Sequence, residues 1–551
     1  MTKIALAQIT TDPGQISANV AKILAAIAQA RGAGCDCVSF PELTIPGYCA
    51  LDLFAERDFI RTNRHALSEI AKHCNDITAI VGFAECDDHA DRSGDRPLLY
   101  NAAAILQNGT LAGIQKKRLI PNYGIFSEDR YFQSATESHP FTIGQHRLAI
   151  QICEDLWDDG YTQKTTAAIV ALGADIIFNI SASPFEVGKY DARRRAIARL
   201  YNENKFRGYF CYTNLIGSFD GYEGEVVFDG RSLALGPSGQ IITEGAAFEE
   251  DLVILTVPHA GKSPHIRSYD DTEIIYKALV LGIRDFYRRL GLKKAFIGLS
   301  GGIDSALVAA LAVEALGEQN VTGVTMPSIF TSRATLSDAL LLADNLGISC
   351  LTRPIEPELN AWRSEFRRVY GAEPGGITLQ NKQARIRGTI LMECSSESKA
   401  PAVVLNTGNK TEIATGYCTL YGDMCGALAV LGDVDKLRVY ELSRFVNQRA
   451  AKEIIPHSTI ERIPSAELAE GQEDRLNLPA DYPVLVPVAN RLIESNETID
   501  QVVNSGFDRS VVEQTARLIE MNEFKRRQAA PAIRVTPRAF GVGRRVPMRY
   551  R

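Results

Sequence analysis

The segment AFIGLSGGIDSALVAALAVEALG, residues 295–317, constrains this chain more than any other. A short apolar run ends in glycines and an apolar helical pattern follows at once, the strand, turn and helix order that opens a nucleotide-binding α/β unit. Glycine carries no Cβ, so the backbone N–H groups of Gly298, Leu299, Ser300, Gly301, Gly302, Ile303, Asp304 and Ser305 can converge on one point. The helix N-terminus adds positive potential, and the two serine hydroxyls can donate. Such a nest suits pyrophosphate. Asp304 inside it would repel an anion unless a divalent cation bridged the carboxylate to phosphate oxygens.

Three competing motifs are weaker. HAGKS, residues 259–263, imitates the end of a Walker A loop, but Thr256 stands where its first glycine belongs and no strand-to-helix turn is evident. Gly32-x-Gly34 reaches Cys37 instead of a third glycine, so the dinucleotide fingerprint is absent. Gly298-x-Ser300-x-Gly302 matches a nucleophile elbow, yet that reading needs a later histidine base and only His457 follows.

The chain has 551 residues, enough for three to four ordinary domains or two large ones, and 45% hydrophobic residues place it among globular proteins. Sixty basic and sixty-six acidic side chains leave a net charge of −6, so no global field attracts nucleic acid or an anionic membrane. The 11 cysteines include no C-x-x-C pair, which points to a reduced, cytoplasmic protein. No stretch reads as a signal peptide or a membrane span.

From residue 1 to about 260, short β-rich runs alternate with helical patterns, and Asn108-Gly109 supplies the two positive-φ positions of a tight hairpin turn. RSLALGPSGQIITEG reads as a second hairpin. Around residues 259–271, periodicity fails and Gly, Pro, Ser and charges accumulate, so we expect domains at 1–260 and 273–551 joined by a linker at 261–272. After it, EIIYKALVLGIRDFYRRLG is an amphipathic helix, while VTGVTMP and PAVVLNTG read as buried strands of a parallel sheet.

SGGIDS resembles the pyrophosphate loop of the ATP pyrophosphatases. NKQARIRG (381–388), LNTGNKTEIATGYCTLYGDMCG (405–426), PSAEL (464–468), and EFKRRQAAP with PRAFGVGRR (523–545) are together similar to the NAD synthetase family. The resemblance spans nearly the whole second half and implies a parallel-sheet, adenine nucleotide alpha hydrolase-like domain. It further implies that residues 298–305 and Thr407 bind ATP, that Asp304 and Glu412 hold Mg²⁺, and that Asn381, Glu412, Asp423, Lys436 and Lys525 lie at the deamido-NAD site. Gln380 departs from the glutamate often found before that asparagine. Residues 525–551 hold nine Lys and Arg and no acid, which suits a nucleic-acid tail or, with the interleaved aromatic, proline and glycine residues, an ordered terminus facing dinucleotide and triphosphate charge. The family resemblance favours the ordered terminus.

Acyl transfer from an amide needs a nucleophile, a base and an oxyanion donor. Three strand ends of the first half offer them: Glu42 in SFPEL, Lys117 in IQKKRLIPNYGIFSEDRYF and Cys153 in LAIQICEDLW. These resemble the Glu, Lys, Cys centre of the nitrilase superfamily, which implies an α-β-β-α sandwich across the first half. The resemblance selects Lys117 over Lys116 by the Ile120-Pro121 step and matches Tyr123, Ser183 and Lys189 to positions that bind substrate glutamine. Lys189 stands where an arginine is familiar, so its contact would be a point charge in place of a fork. GSFDGYEGEVVFDG is locally altered relative to that family.

The two resemblances together imply a ligase. Cys153 would release ammonia from glutamine, and the second half would activate deamido-NAD with ATP as an acyl-adenylate, giving NAD, AMP and pyrophosphate. A water-excluding tunnel between Cys153 and Ser300 would keep ammonia unprotonated, and a homo-oligomer is implied by the family. No nucleic-acid or membrane partner is expected. Another glutamine-dependent adenylating ligase and a non-catalytic ATP-sensing scaffold are the alternative readings.

Overall fold

The computed structural model describes all residues except 87–97, 222–223, 262–265, 542 and 549–551. Residues 1–221 and 226–269 form one compact unit, and a second begins at Asp270. Part of HAGKS and of the expected 261–272 linker therefore lies outside the described residues. The linker also ends earlier than expected: the Asp270 carboxylate accepts the Glu273 N–H at 2.7 Å, and this cap starts a helix at Asp271.

The strands of the first unit are β1 (Thr2–Gln8), β2 (Cys37–Ser39), β3 (Thr78–Cys86), β4 (Leu99–Gln107), β5 (Thr110–Lys116), β6 (Phe141–Ile143) and β7 (His146–Ile152). They continue with β8 (Ile176–Ser181), β9 (Tyr209–Asn214), β10 (Ile216–Asp220), β11 (Gly224–Asp229), β12 (Leu233–Leu235), β13 (Ile241–Glu244) and β14 (Asp251–Val257). All of these except β10 and β11 form two six-stranded sheets, ordered β14-β1-β2-β3-β4-β5 and β13-β12-β9-β8-β7-β6. The helices are α1 (Ile16–Gly32), α2 (Arg57–Ala71), α3 (Thr165–Ala171) and α4 (Lys189–Asn202).

Strand periodicity sorts the layers. Ile4 and Leu6 of β1 join Ile150, Ile152 and Phe178 between the sheets, whereas Ala5 and Ala7 turn to the core shared with α1 and α2. On the far side, Ile177 and Phe210 pack with Ile169, Ile197 and Leu200 of α3 and α4. This is an α-β-β-α sandwich. Asn108 and Gly109 take φ of 51° and 73° between β4 and β5, as a primed turn requires, and β12 pairs antiparallel with β13 as the second hairpin.

The second unit contains α5 (Asp271–Leu290), β15 (Lys294–Gly298), α6 (Ile303–Leu316), β16 (Val321–Thr325), α7 (Arg333–Leu346), β17 (Ser349–Thr352), α8 (Glu356–Tyr370), α9 (Gly376–Ser396), β18 (Ala402–Asn406), α10 (Lys410–Thr415), β19 (Leu428–Ala429), α11 (Lys436–Ala450) and, near the terminus, β20 (Ala532–Arg534). Within this unit the sheet runs β20-β19-β18-β15-β16-β17, with every adjacent pair parallel. The order reverses direction between β15 and β18, the kind of switch point beside which ligands bind in open α/β sheets. The basic terminal stretch joins this unit: Arg526 donates to the carbonyls of Ile413 and Ala414, and β20 pairs with β19.

Among the described residues no helix is long and apolar enough to cross a membrane.

Candidate active sites

Glu42, Lys117 and Cys153 meet in the first unit. Glu42 and Lys117 are fully buried, and Lys117 Nζ lies 2.6 Å from Glu42 Oε1. The second Glu42 oxygen accepts the Ala182 N–H at 3.0 Å, while Asn101 Nδ2 donates to Oε1 at 2.7 Å. Cys153 follows β7 with φ of 44°, a left-handed conformation rare for a non-glycine residue. Burial and the Glu42 charge push its thiol well above the ordinary cysteine range against the pull of Lys117. A thiol so held needs a neighbouring base before it can attack.

A fourth member completes the cluster. Glu128 is buried, and both of its oxygens accept from Lys117 Nζ, at 2.9 and 2.8 Å. Burial acts to lower the Lys117 ammonium, but Glu128 and Glu42 outweigh it and hold the lysine well above its usual range. Lys117 thus stays charged. Asp155 ties this lysine to the nucleophile: its carboxylate accepts from the N–H groups of Arg118 (3.0 Å), Leu119 (2.8 Å) and Ile152 (3.0 Å).

The residues matched to glutamine contacts surround this centre unevenly. Tyr123 is half-exposed and donates to Glu154 at 2.9 Å, the residue after Cys153, which also accepts from Tyr161. Ser183 is buried beyond β8, its N–H held by Asn214 Oδ1 at 3.0 Å. Lys189 opens α4 with its ammonium 4.6 Å from the centre of the Trp157 ring and 4.0 Å from Glu186.

In the second unit, Gly298 ends β15, and Gly302 precedes the first residue of α6. Gly301 has φ of 79°, and a Cβ there would stand 2.2 Å from the Thr335 carbonyl oxygen, so the turn requires glycine. Ser300 Oγ accepts the Gly302 N–H at 3.1 Å and lies 3.1 Å from Ser305 Oγ. Among the described residues Ser300 has no histidine partner: His457 is exposed, and its backbone N–H donates to Glu453. The nucleophile-elbow reading therefore falls.

Asp304 meets its partners from two other elements. Asn409 Nδ2 donates to it at 2.9 Å, Lys436 pairs with it directly, and Lys436 is also 3.5 Å from Glu412. Asn409 and Glu412 form a reciprocal capping box at the start of α10, which fixes the Glu412 backbone. Burial and the Asp304 charge push the Glu412 carboxyl up to about 8. Two carboxylates facing one ammonium fit Mg²⁺, which takes one or two carboxylates and completes its shell with water and substrate phosphates. Among the described residues no cluster of three or more His, Cys, Asp or Glu could hold a metal by itself. Thr407 lies half-buried between β18 and α10.

Three residues matched to the dinucleotide gather elsewhere, around residues 416–423. Lys525 Nζ donates to the Gly416 and Cys418 carbonyls at 2.8 and 2.7 Å, Asn381 Oδ1 accepts from Thr419 Oγ1 at 2.9 Å, and Asp423 accepts the Thr419 N–H at 2.6 Å. The five matched positions thus form two groups, with Glu412 and Lys436 beside Asp304 and the others around this loop.

The comparisons bear on both units. A carbon-nitrogen hydrolase model matches residues 3–261 and an NAD synthase model matches residues 275–529. The chain is 39% identical to the glutamine-dependent NAD(+) synthetase of Synechocystis sp., covering 100% of this chain and 98% of that one. The chain belongs to the glutamine-dependent NAD(+) synthetase family. The Thermotoga maritima member is 36% identical, with 100% of this chain and 98% of the other covered. Among solved structures, the glutamine-dependent NAD+ synthetase of Acinetobacter baumannii in complex with adenosine diphosphate is similar at 33% identity, with a TM-score of 0.77 and 99% and 98% of the chains covered.

Several residues of this family member's sites escape a reading of the sequence. Glu128 lies eleven residues beyond Lys117 in a loop with no period to mark it, and Asn101 sits inside an ordinary strand pattern. Asn409 is identified by the structure, which places it as the cap of α10 ahead of Glu412.

Proposed function

We propose that this chain amidates deamido-NAD to NAD, using ATP and the side-chain nitrogen of glutamine. The observation that carries the reading is the presence, in one chain, of a buried thiol, carboxylate and ammonium cluster and of a glycine nest flanked by Asp304, Glu412 and Lys436.

In the first unit, the Cys153 sulfur attacks the glutamine carboxamide carbon as its proton passes to Glu42. Lys117 stabilises the oxyanion of the tetrahedral intermediate, and its charge is secured by the two carboxylates bound to it. Glu42 returns the proton to the departing nitrogen, ammonia leaves, and water cleaves the thioester to glutamate. Tyr123, Ser183 and Lys189 orient the substrate.

In the second unit, residues 298–305 and Thr407 bind ATP, while Asn381, Asp423 and Lys525, with Glu412 and Lys436, receive deamido-NAD. Asp304 and Glu412 would hold Mg²⁺, which supplies charge neutralisation at the phosphates. The nicotinate carboxylate attacks the α-phosphorus, forming an acyl-adenylate and pyrophosphate, and ammonia released at Cys153 is passed to this adenylate and displaces AMP. We read the protein as a cytoplasmic homo-oligomer acting on small molecules, with one domain before and one after the connector that follows residue 260.

The test is NAD formation from deamido-NAD, ATP and Mg²⁺, with glutamine or with ammonium, in wild type and C153A. The reading requires that the variant lose only the glutamine-supported reaction. Absence of NAD with either nitrogen source in wild type would refute the acceptor assignment.

A further inference from the structure

Behind Ser183 lies a run of buried polar groups that the chemistry at Cys153 does not use. The Ser183 N–H is buried and needs an acceptor, which it finds at 3.0 Å in Oδ1 of Asn214, the last residue of β9. The other end of that amide is committed: Asn214 Nδ2 donates to Asp229 Oδ1 at 3.0 Å and to the Gly230 carbonyl at 2.9 Å. With two acceptors on the nitrogen side, the amide has one orientation, and its oxygen faces Ser183.

Asp229 ends β11 and is itself gripped by a fork. Arg193 donates from Nη2 to Asp229 Oδ1 at 2.8 Å and from Nη1 to Oδ2 at 3.3 Å, and both side chains are buried. Burial acts to lower the guanidinium, but Asp229 and the Tyr212 ring, 5.0 Å away, outweigh it and keep Arg193 charged. Arg193 lies four residues after Lys189 on α4, so the two share one face of the helix, and the Asp229 pair pins the turn that Lys189 opens. One carboxylate thus reaches Ser183 through Asn214 and Lys189 through Arg193. A buried ion pair adds little net stability over apolar packing, whereas its geometry is strict.

We propose that Asn214, Asp229 and Arg193 are positioning residues of the glutamine site. Through Ser183 and Lys189 they set the grip on the amino-acid end of glutamine, whose α-carboxylate complements the Lys189 ammonium, and they leave the reactivity of the Cys153 thiol to Glu42 and Lys117. This rests on the glutamine contacts of the proposed function and deepens them.

Steady-state NAD formation with varied glutamine is measured on full-length wild type, N214A, R193K, S183A and K189A at saturating deamido-NAD and Mg-ATP, with ammonium in place of glutamine for normalisation. Alkylation by iodoacetamide, which has no amino-acid end, reports the Cys153 centre alone once corrected with C153A. Glutamine KM should rise about 5- to 50-fold in N214A, which strips the Ser183 N–H of its acceptor, and by a smaller factor in R193K, which keeps the charge and loses the fork. The normalised kcat and the alkylation rate should stay within about threefold of wild type. An unchanged glutamine KM in N214A and R193K would overturn the inference. So would a fall in kcat and alkylation at constant KM, which would make the network a support of the Cys153 centre. If N214A does not fold, R193K decides by the same split. A KM that S183A and K189A leave unchanged would overturn the inference together with the two contacts it acts through, whereas absence of glutamine-supported NAD formation in wild type would refute the proposed function itself.

Discussion

Glu128→Gln offers the sharpest test of how the first site works. Glu128 presents two oxygens to Lys117 Nζ at 2.9 and 2.8 Å, while Glu42 presents one at 2.6 Å. Glutamine keeps the shape and one acceptor oxygen but removes the charge and one charge-assisted hydrogen bond. A hydrogen bond to a charged group contributes about 1.5–3 kcal/mol, corresponding to about 10- to 150-fold in rate when the lost interaction serves the transition state. The direction follows from Lys117: with its second carboxylate neutralised, the ammonium leans on Glu42 and makes it a weaker base for the Cys153 proton. The assay is steady-state NAD formation with saturating glutamine, paired with saturating ammonium. We expect the glutamine-supported kcat to fall by that factor and the ammonium-supported rate to remain within about twofold, since nothing at the second site changes. A glutamine-supported rate equal to wild type would refute the claim that the second carboxylate sets the balance between Lys117 and Glu42.

Two further outcomes follow from the geometry. The Cys153 thiol is held above the ordinary cysteine range by burial and Glu42, so the protonated form prevails at neutral pH; alkylation by iodoacetamide, corrected with C153A, should still be rising at pH 8.5 or about there, and a plateau near neutrality would contradict the buried, neutral thiol. Gly301→Ala places a methyl against the Thr335 carbonyl at a φ of 79°, a strain of about 1–2 kcal/mol from the left-handed backbone alone with the clash added; ATP-dependent NAD formation should collapse with either nitrogen source, while an active variant would show that the turn can relax without glycine.

Much of this protein was legible along the chain because its information is local. The Asn108-Gly109 turn, the glycine nest at 298–305 and the helix that follows it depend on φ freedom and on periodicities of neighbouring residues, and the structure shows the strands and helices expected there. Glu42, Lys117 and Cys153 could be named because each ends a strand pattern that resembles a known superfamily. The boundary after residue 260 was less sharp, since the capping Asp270 and the Gly, Pro and Ser-rich stretch before it share one polar composition.

What only the tertiary structure decided is which distant polar groups neutralise one another. Glu128 and Glu42 converge on the single ammonium of Lys117, and Glu412 and Lys436 meet Asp304, which lies more than one hundred residues before either of them in the chain. Sequence determines backbone preference through near neighbours, whereas the state of a buried charge depends on every group packed against it, and those groups are assembled by the fold.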